Sequence, residues 1–448
     1  MPELHLAHKG GVEFPDFGGL VPPARVAPDK WLSGLPEDWQ VVLVKHIFAF
    51  NEKGRGSDSE AILSLTQRGI LERDISGNEG QLAESYENYP QVLEGDFVLN
   101  PMDLVAGWVA RTNISGKVSG AYYSFHITNQ GRADGRFFEY LFQTYYRERI
   151  FDPFGSGLGR MESGGGRWTL GRDVLMNFPV PLPPINAQRV LAAYLDQETS
   201  QIDLLISKKE QLIEKLLERR QVLITQAVTK GLDPNVPMKD SGLEWVGQVP
   251  ATWDVRPHWA FVREKKVPVA NLYKELTLLS LTKQGVIVRD MEGGGKFPTN
   301  FEGYQRVEPG DLVLCLFDVE ETPRTVGLVA NSGMITSAYT VMTLRDIEPK
   351  FFEWYLIGMD NEKRFKPFYS GLRNTLPKPA FGSIRFAVPQ RPEQLEILEY
   401  LNQETVQIDA LVAKARKGVE LLRERRQALI TQVVTGKLDV RGFVSGNS

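Results

Sequence analysis

Residues 188–233 read QRVLAAYLDQETSQIDLLISKKEQLIEKLLERRQVLITQAVTKGLD, and residues 394–439 read QLEILEYLNQETVQIDALVAKARKGVELLRERRQALITQVVTGKLD. The two stretches align without a gap at an offset of 206, and 25 of the 46 positions are identical, which chance does not produce. Self-similarity of this quality decides an architecture before any single motif is read. In the first copy Ala192, Leu195, Thr199, Ile202, Ile206, Lys209, Ile213, Leu216, Arg220, Leu223 and Ala227 recur at alternating steps of three and four. That spacing is a heptad seam, with Glu, Lys and Arg on the other faces. The second copy repeats it from Leu398 to Val433. Neither stretch contains proline, so about 40 residues can stay helical over roughly 60 Å. Such a helix has to bury its seam, against the other copy or against the helices of another protein.

Upstream of each copy the similarity weakens but keeps its order. Pro36-x-x-Trp39 matches Pro250-x-x-Trp253, Leu63-Ser64-Leu65-Thr66 matches Leu279-Ser280-Leu281-Thr282, and Gly95-Asp96-Phe97-Val98-Leu99 matches Gly310-Asp311-Leu312-Val313-Leu314. Phe137-Phe138-Glu139-Tyr140 matches Phe351-Phe352-Glu353-Trp354, and Ser156-Gly157-Leu158 matches Ser370-Gly371-Leu372. Each half is a divergent globular domain followed by a well-kept helix. The helices are entered through Pro179-Val180-Pro181-Leu182-Pro183-Pro184 and Val388-Pro389-Gln390-Arg391-Pro392, and proline forces an extended approach. The first helix leaves through Gly231-Leu232-Asp233-Pro234, a stop followed by a linker. Runs at residues 40–44, 96–99, 276–279 and 311–317 read as strands, and aromatic runs at residues 137–146 and 351–357 as single packed helices. The expected fold class is α+β, with two mixed α and β domains and two long helices in an internal repeat.

Of the 448 residues 42% are hydrophobic and 24% charged, and 52 Lys and Arg against 56 Asp and Glu leave a net charge of −4. This is a globular chain with no global positive field for nucleic acid or an anionic membrane. The single cysteine, Cys315, sits in an apolar run and reads as a core residue. One cysteine excludes a disulfide framework or a cysteine-based metal site within the chain and suits a cytoplasmic protein. The start, MPELHLAHKGGVEFPDF, has no apolar signal-peptide run, and no apolar run approaches the about 18 residues of a membrane span.

Motifs for catalysis mostly fail. Phe151-Asp152-Pro153-Phe154-Gly155-Ser156-Gly157 resembles the loop with which some DNA methyltransferases hold S-adenosylmethionine, but it is one residue short, and the Asn/Asp-Pro-Pro-aromatic tetrad is missing. Its match in the second half, Phe365-Lys366-Pro367-Phe368-Tyr369-Ser370-Gly371, assigns it to the duplicated domain. Gly293-Gly294-Gly295-Lys296 is followed by Phe297 and lacks the first glycine of a phosphate loop. The five histidines form no metal-like pair, and no Gly-x-Ser-x-Gly elbow occurs.

Local charge departs from the average. Residues 35–104 carry 5 basic and 13 acidic side chains, whereas residues 105–187 carry 9 basic and 6 acidic. Between residues 363 and 388 stand Lys363, Arg364, Lys366, Arg373, Lys378 and Arg385 with no acid among them. Both basic stretches cover the same part of the repeat, and basic residues mixed with Asn, Gln and aromatics suit phosphate anchoring and base reading. A solvated face balancing acids elsewhere is the plain alternative. If each globular domain reads a short sequence, a rod of fixed length between them sets the spacing, and divergence makes the two halves of the site different.

The order of parts resembles the specificity subunit of type I restriction-modification systems over nearly the whole chain. The resemblance is carried by Pro181-Leu182-Pro183-Pro184-Ile185-x-x-Gln188, by Tyr194-Leu195-Asp196-Gln197-Glu198-Thr199-x-Gln201-Ile202-Asp203, and by Glu218-Arg219-Arg220-Gln221-x-Leu223-Ile224-Thr225-Gln226. Their second-copy equivalents at residues 400–409 and 424–432 and the linker from Met238 to Trp253 extend it, while the second proline stretch is a degraded version and residues 1–30 match nothing. The resemblance implies a target-recognition domain at residues 31–185, a central helical spacer at 186–233, a second recognition domain at 234–388, a C-terminal spacer at 389–440 and a tail at 441–448. It implies that the two spacers pack as an antiparallel coiled coil, giving pseudo-twofold symmetry. It further implies a non-catalytic subunit that binds double-stranded DNA and docks two modification subunits and the restriction subunits, in defence against foreign DNA. The chain itself then holds no cofactor or metal; S-adenosylmethionine, ATP and magnesium belong to the partners, and the polar flanks of residues 188–229 and 394–435 face them.

Candidates for DNA contact are Gln67, Arg68, Arg111, Arg160, Arg167 and Arg172 in the first domain, and Lys283, Gln284, Arg324, Lys366, Arg373, Asn374 and Lys378 in the second. Arg can grip guanine through two hydrogen bonds, Gln or Asn can do so with adenine, and Lys supplies charge to a phosphate. A scaffold using only its rods, and an independent methyltransferase, are the competing classes. Divergence of the domains around retained rods speaks against the first, and the loop defect against the second.

Overall fold

The computed structural model describes residues 29–51, 61–74, 86–104, 107–157, 168–289, 301–322 and 324–442. Arg160, Arg167, the Gly293-Gly294-Gly295-Lys296 run and residues 1–28 lie outside the described residues. The chain divides into two compact units, one made of Met1–Lys208 with Val419–Ser448, the other of Lys209–Gly418.

The first unit opens on a short helix, α1 (Asp29–Leu32), and an antiparallel ribbon of β1 (Gln40–Leu43) with β10 (Pro179–Leu182). Its main sheet has four antiparallel strands in the order β2 (Phe48–Phe50), β9 (Tyr123–Ile127), β6 (Phe97–Leu99) and β7 (Val109–Arg111). A hairpin of β3 (Leu63–Thr66) and β4 (Gly69–Glu72) and a pair of β5 (Gln91–Val92) with β8 (Gly116–Lys117) complete the strands. Helix α2 (Gly135–Arg147) is capped by the Asp134 carboxylate, which accepts from the backbone N–H groups of Arg136 and Phe137. It buries Phe137, Phe138, Leu141, Phe142 and Tyr145. The core is aromatic: the Phe48 ring lies within 5.5 Å of the rings of Phe97, Phe125, Phe138 and Phe142. Aromatic pairs in such edge-on geometry add to the hydrophobic gain of burial. The first four residues of the proline stretch before the helix form β10, in the extended conformation expected, and all four are buried. Two strands suffice to hold it, and prolines are tolerated where no central ladder needs their N–H.

The second unit repeats this plan in the same register. β13 (Asp254–Pro257) pairs with β22 (Arg385–Val388), and the four-stranded sheet runs β14 (Val262–Lys265), β21 (Thr340–Leu344), β18 (Leu312–Leu314) and β19 (Val326–Leu328). The hairpin is β15 (Leu279–Thr282) with β16 (Gly285–Val288), and β17 (Gln305–Val307) pairs with β20 (Gly333–Ile335). Helix α5 (Pro349–Asn361) takes the place of α2. A hairpin of β11 (Met238–Asp240) and β12 (Gln248–Pro250) is built from the linker. Phe97 faces Phe125 and Arg111 in the first sheet, just as Leu312 faces Met342 and Leu328 in the second, so the frame is kept while its filling changes.

Two strand expectations shift. The strand read at residues 276–279 begins at Leu279; Leu278 instead bridges Met334, and the chains run so close there that a Cβ on Gly333 would stand 2.4 Å from the Thr277 carbonyl oxygen. Gly116 meets Ala61 in the same way, at 2.6 Å. The run at residues 311–317 keeps only Leu312–Leu314 as strand, since the chain turns through Asp318 with a φ of +47°. Cys315 is buried as expected, and burial pushes its thiol pKa up.

The two long helices are α4 (Ile185–Lys230) and α7 (Arg391–Val434), and each contributes one half to each unit. In the first unit Leu191, Ala192 and Leu195 share a core with Ile430, Val433 and Val434, while Asp203 meets Arg426 at 2.9 Å, so the helix halves run antiparallel. In the second unit Ile224, Ala227 and Val228 pack with Ile397, Leu398 and Leu401, while Arg220 meets Asp409 at 2.9 Å. At an offset of 206 the two ion pairs are the same pair. Seam residues Thr199, Ile202, Thr405, Ile408, Val412 and Ala415 are buried. A buried glutamine fixes each helix start: Gln188 donates to the carbonyls of Pro183 and Arg132 and accepts from the Asp134 N–H. Gln394 donates to the Pro389 carbonyl and accepts from the Glu348 N–H.

Candidate nucleic-acid interface

Gln67 and Arg68 form the exposed tip of the β3–β4 hairpin, and Lys283 and Gln284 the tip of the β15–β16 hairpin. Both turns are built alike. Thr66 donates its hydroxyl to the Gly69 carbonyl and accepts from the Arg68 N–H; Thr282 does the same with Gly285 and Gln284. The closing glycines have φ of +108° and +103°, which glycine alone adopts without strain. A fixed turn thus carries two interchangeable polar side chains, and those differ between the domains.

Arg172 and Lys378 occupy matching places, at the starts of α3 (Arg172–Met176) and α6 (Lys378–Ser383). The Arg172 guanidinium lies over the Phe50 ring at 4.0 Å, whereas Lys378 pairs with Glu264, which stands where Phe50 does in the sheet. Arg111 is drawn into the frame. Its N–H donates to Glu139, its side chain lies against Gly135, and its counterpart Leu328 makes the same backbone bond to Glu353. Burial pushes the Glu139 carboxyl up, partly offset by Arg111. Arg324 donates from Nη1 to the Lys283 carbonyl at 2.9 Å and so braces the hairpin tip from behind; burial lowers its pKa.

The basic run of the second domain is not a bare cationic face. Lys366 pairs with Glu320 at 3.1 Å, Arg364 with Glu362 at 2.9 Å, Arg373 with Asp318, and Lys378 with Glu264, while Asn374 donates to Glu321 at 3.2 Å. Apart from Glu362, the acids come from residues 318–321 and 264, far away in the chain, so a count along the run could not see them. The loop carrying Arg373 and Asn374 is closed by reciprocal backbone bonds between Ser370 and Thr375 of 2.8 and 3.1 Å. In the first domain Ser156 and Thr169 form the same bridge around residues 157–168, which include Arg160 and Arg167. The first loop is eight residues longer, which is why the repeat offset falls from 214 at Ser156 to 206 at Gln188.

The methyltransferase-like loop is structural. Residues Asp152–Phe154 form a 3-10 turn with Phe154 buried, and Lys366–Phe368 form the same turn. The Asp152 carbonyl accepts from the Trp168 indole at 2.6 Å. The partners missed in the sequence, Phe317, Asp318 and Glu320, follow β18 in a small acidic cluster with Glu321, whose basic partners Lys366 and Arg373 stand 46 and 55 positions later in the chain. Among the described residues no helix is long and apolar enough to cross a membrane.

No protein-family model matches the chain. The type I restriction enzyme MjaVIII specificity subunit of Methanocaldococcus jannaschii is 22% identical, covering 92% of this chain and 96% of that protein. The putative type I restriction enzyme MjaX specificity subunit of the same organism is 20% identical, covering 91% and 95%. A chain solved in work on complex assembly and conformational transition of the type I R-M system superposes with a TM-score of 0.65 at 14% identity, covering 90% of this chain and 99% of that one. Over more than nine-tenths of its length the chain is thus similar in sequence to two type I restriction enzyme specificity subunits, and it shares the fold of the chain solved from a type I R-M system.

Proposed function

We propose that the chain is the non-catalytic DNA sequence-recognition subunit of a type I restriction-modification complex. Residues 31–185 and 234–388 each read one half of a bipartite, asymmetric site in double-stranded DNA, and residues 186–233 and 389–440 are the helical spacers. The observation that carries this reading is a retained frame with exchanged tips: identical turns present Gln67 and Arg68 in one domain and Lys283 and Gln284 in the other. A fixed turn with variable polar ends suits base reading, since hydrogen-bonding side chains at base edges specify sequence while the frame sets their position.

Two modification subunits dock on the outward flanks of the helices and bring S-adenosylmethionine; restriction subunits bring ATP and magnesium. Those flanks carry exposed apolar residues beside the polar ones, including Leu205 and Leu411 at matching places in the repeat, 48% and 53% exposed. Exposed leucines outside the seam suit a protein partner. The work is done in the cytoplasm, where the DNA is.

The test is co-expression with the modification subunit followed by genome-wide mapping of methylated adenines. The expected result is one split motif. Replacing residues 31–185 by those of a relative changes one half of the motif and leaves the other and the adenine spacing in place. Absence of a split motif, or a motif indifferent to the swap, overturns the reading.

A further inference from the structure

Arg373 is held more tightly than an exposed arginine needs to be. Its Nε donates to Asp318 Oδ1 at 2.9 Å and its Nη2 donates to the other carboxylate oxygen. Its guanidinium carbon stands 5.6 Å from the centre of the Phe317 ring, which in turn stacks on Tyr339 at 6.2 Å. The backbone around it is fixed as well: the Asp318 N–H donates to the Arg373 carbonyl at 2.9 Å, and the Ser370–Thr375 bridge closes the loop. Asp318 and Asn374 have φ of +47° and +43°, a region that Asp and Asn tolerate better than most side chains. Arg373 is 69% exposed at its side chain and its neighbour Leu372 is fully exposed, so no described residue covers the tip.

A guanidinium has a rigid fork of donors. With the Nε–Nη2 edge taken by Asp318, the edge formed by Nη1 and Nη2 remains, and Nη1 has no partner among the described residues. That edge matches the O6 and N7 acceptors of guanine in the major groove. Lys366 and Lys378, by contrast, are flexible point charges on single carboxylates, which suits phosphates.

We infer that Arg373 reads a guanine in the half-site of the second domain, with Asp318 as the residue that positions its guanidinium and Phe317 as the surface it lies on. This rests on the recognition function proposed above and names the base chemistry of one of its contacts. The register of the repeat sets Asp103 at the place of Asp318 and Arg167 at that of Arg373, so the same pair of residue types occurs in both halves of the sequence.

The experiment uses the full chain co-expressed with the modification subunit, with methylated adenines mapped for wild type, R373A, R373K, D318N and D318E, and the thermal midpoint of each purified chain measured. In wild type one half of the motif contains a guanine that is required. R373A and R373K accept other bases at that position, with discrimination falling about tenfold or more, because lysine keeps the charge but not the fork. D318N relaxes the same position and no other, and D318E restores it in part. If the motif is unchanged in R373A and D318N, or if all positions weaken alike as for a phosphate anchor, the inference is overturned. Should R373A fold poorly, R373K and D318N decide by the same criterion. A wild-type chain that yields no split motif overturns the recognition function itself, and the inference with it.

Discussion

His258 stands where the first unit has Val44: both begin a 3-10 turn, and both donate their N–H to the carbonyl of the residue just before β10 or β22. In the second unit the imidazole is fully buried among Phe352, Tyr355, Phe381 and Phe386. Burial pushes its pKa down to about 3, against a smaller opposing effect of the Phe381 backbone. An unfolded histidine titrates near 6.5, so between these values the unfolded chain holds a proton that the folded chain does not. Stability therefore falls as the pH drops below about 6.5, by about 2 kcal/mol at pH 5. His258→Val should remove that part of the acid sensitivity, seen as a smaller loss of thermal midpoint between pH 7 and pH 5; an unchanged loss would assign it to carboxylates elsewhere. Gln188 is a second residue whose importance is structural. Gln188→Leu leaves the Asp134 N–H and the buried Pro183 carbonyl without partners, and chemical unfolding should report a loss of about 1–3 kcal/mol. A variant as stable as wild type would show that these groups find other partners.

At the level of elements, the motifs retained in both helices are explained first by packing within each unit. Asp203 and Asp409 belong to one motif, Arg426 and Arg220 to the other, and each pair joins the two helices. The motif glutamine next in the chain reaches the globular domain: Gln427 accepts from Arg147 at 2.7 Å, and Gln221 accepts from Asn361. Partner docking then falls to residues outside these contacts. Leu205→Glu and Leu411→Glu should leave the thermal midpoint unchanged, because both side chains are already half exposed, while recovery of the modification subunit in a pull-down drops about tenfold. Full recovery would move the docking surface elsewhere. The seam, the helices and most strands were legible because heptad spacing and short apolar runs are local signals. The loop around Arg373 was not: its geometry depends on a carboxylate 55 positions earlier in the chain.

For the whole molecule, the net charge of −4 takes on a sharper meaning. Of the basic run at residues 363–388, Lys366, Arg373 and Lys378 are paired with carboxylates from other segments and Arg364 with the neighbouring Glu362. Four of the six cations of that run are thus already held by acids, which leaves fewer of them free for phosphates. Log affinity of the isolated chain for DNA against log salt should therefore have a slope of magnitude about 3 or less, whereas six or more phosphate contacts would make it steep. A steep slope would show that DNA displaces the internal carboxylates. The duplication, the two long helices with their seam, the α+β class and the similarity to specificity subunits were all legible in the chain as written, because periodicity and repetition are local properties of it. Which cations face an acid, which arginines brace a turn and which fork keeps a free edge became visible in the folded chain alone. Those depend on distances between segments far apart in sequence, and Coulomb and hydrogen-bond energies follow distance in space.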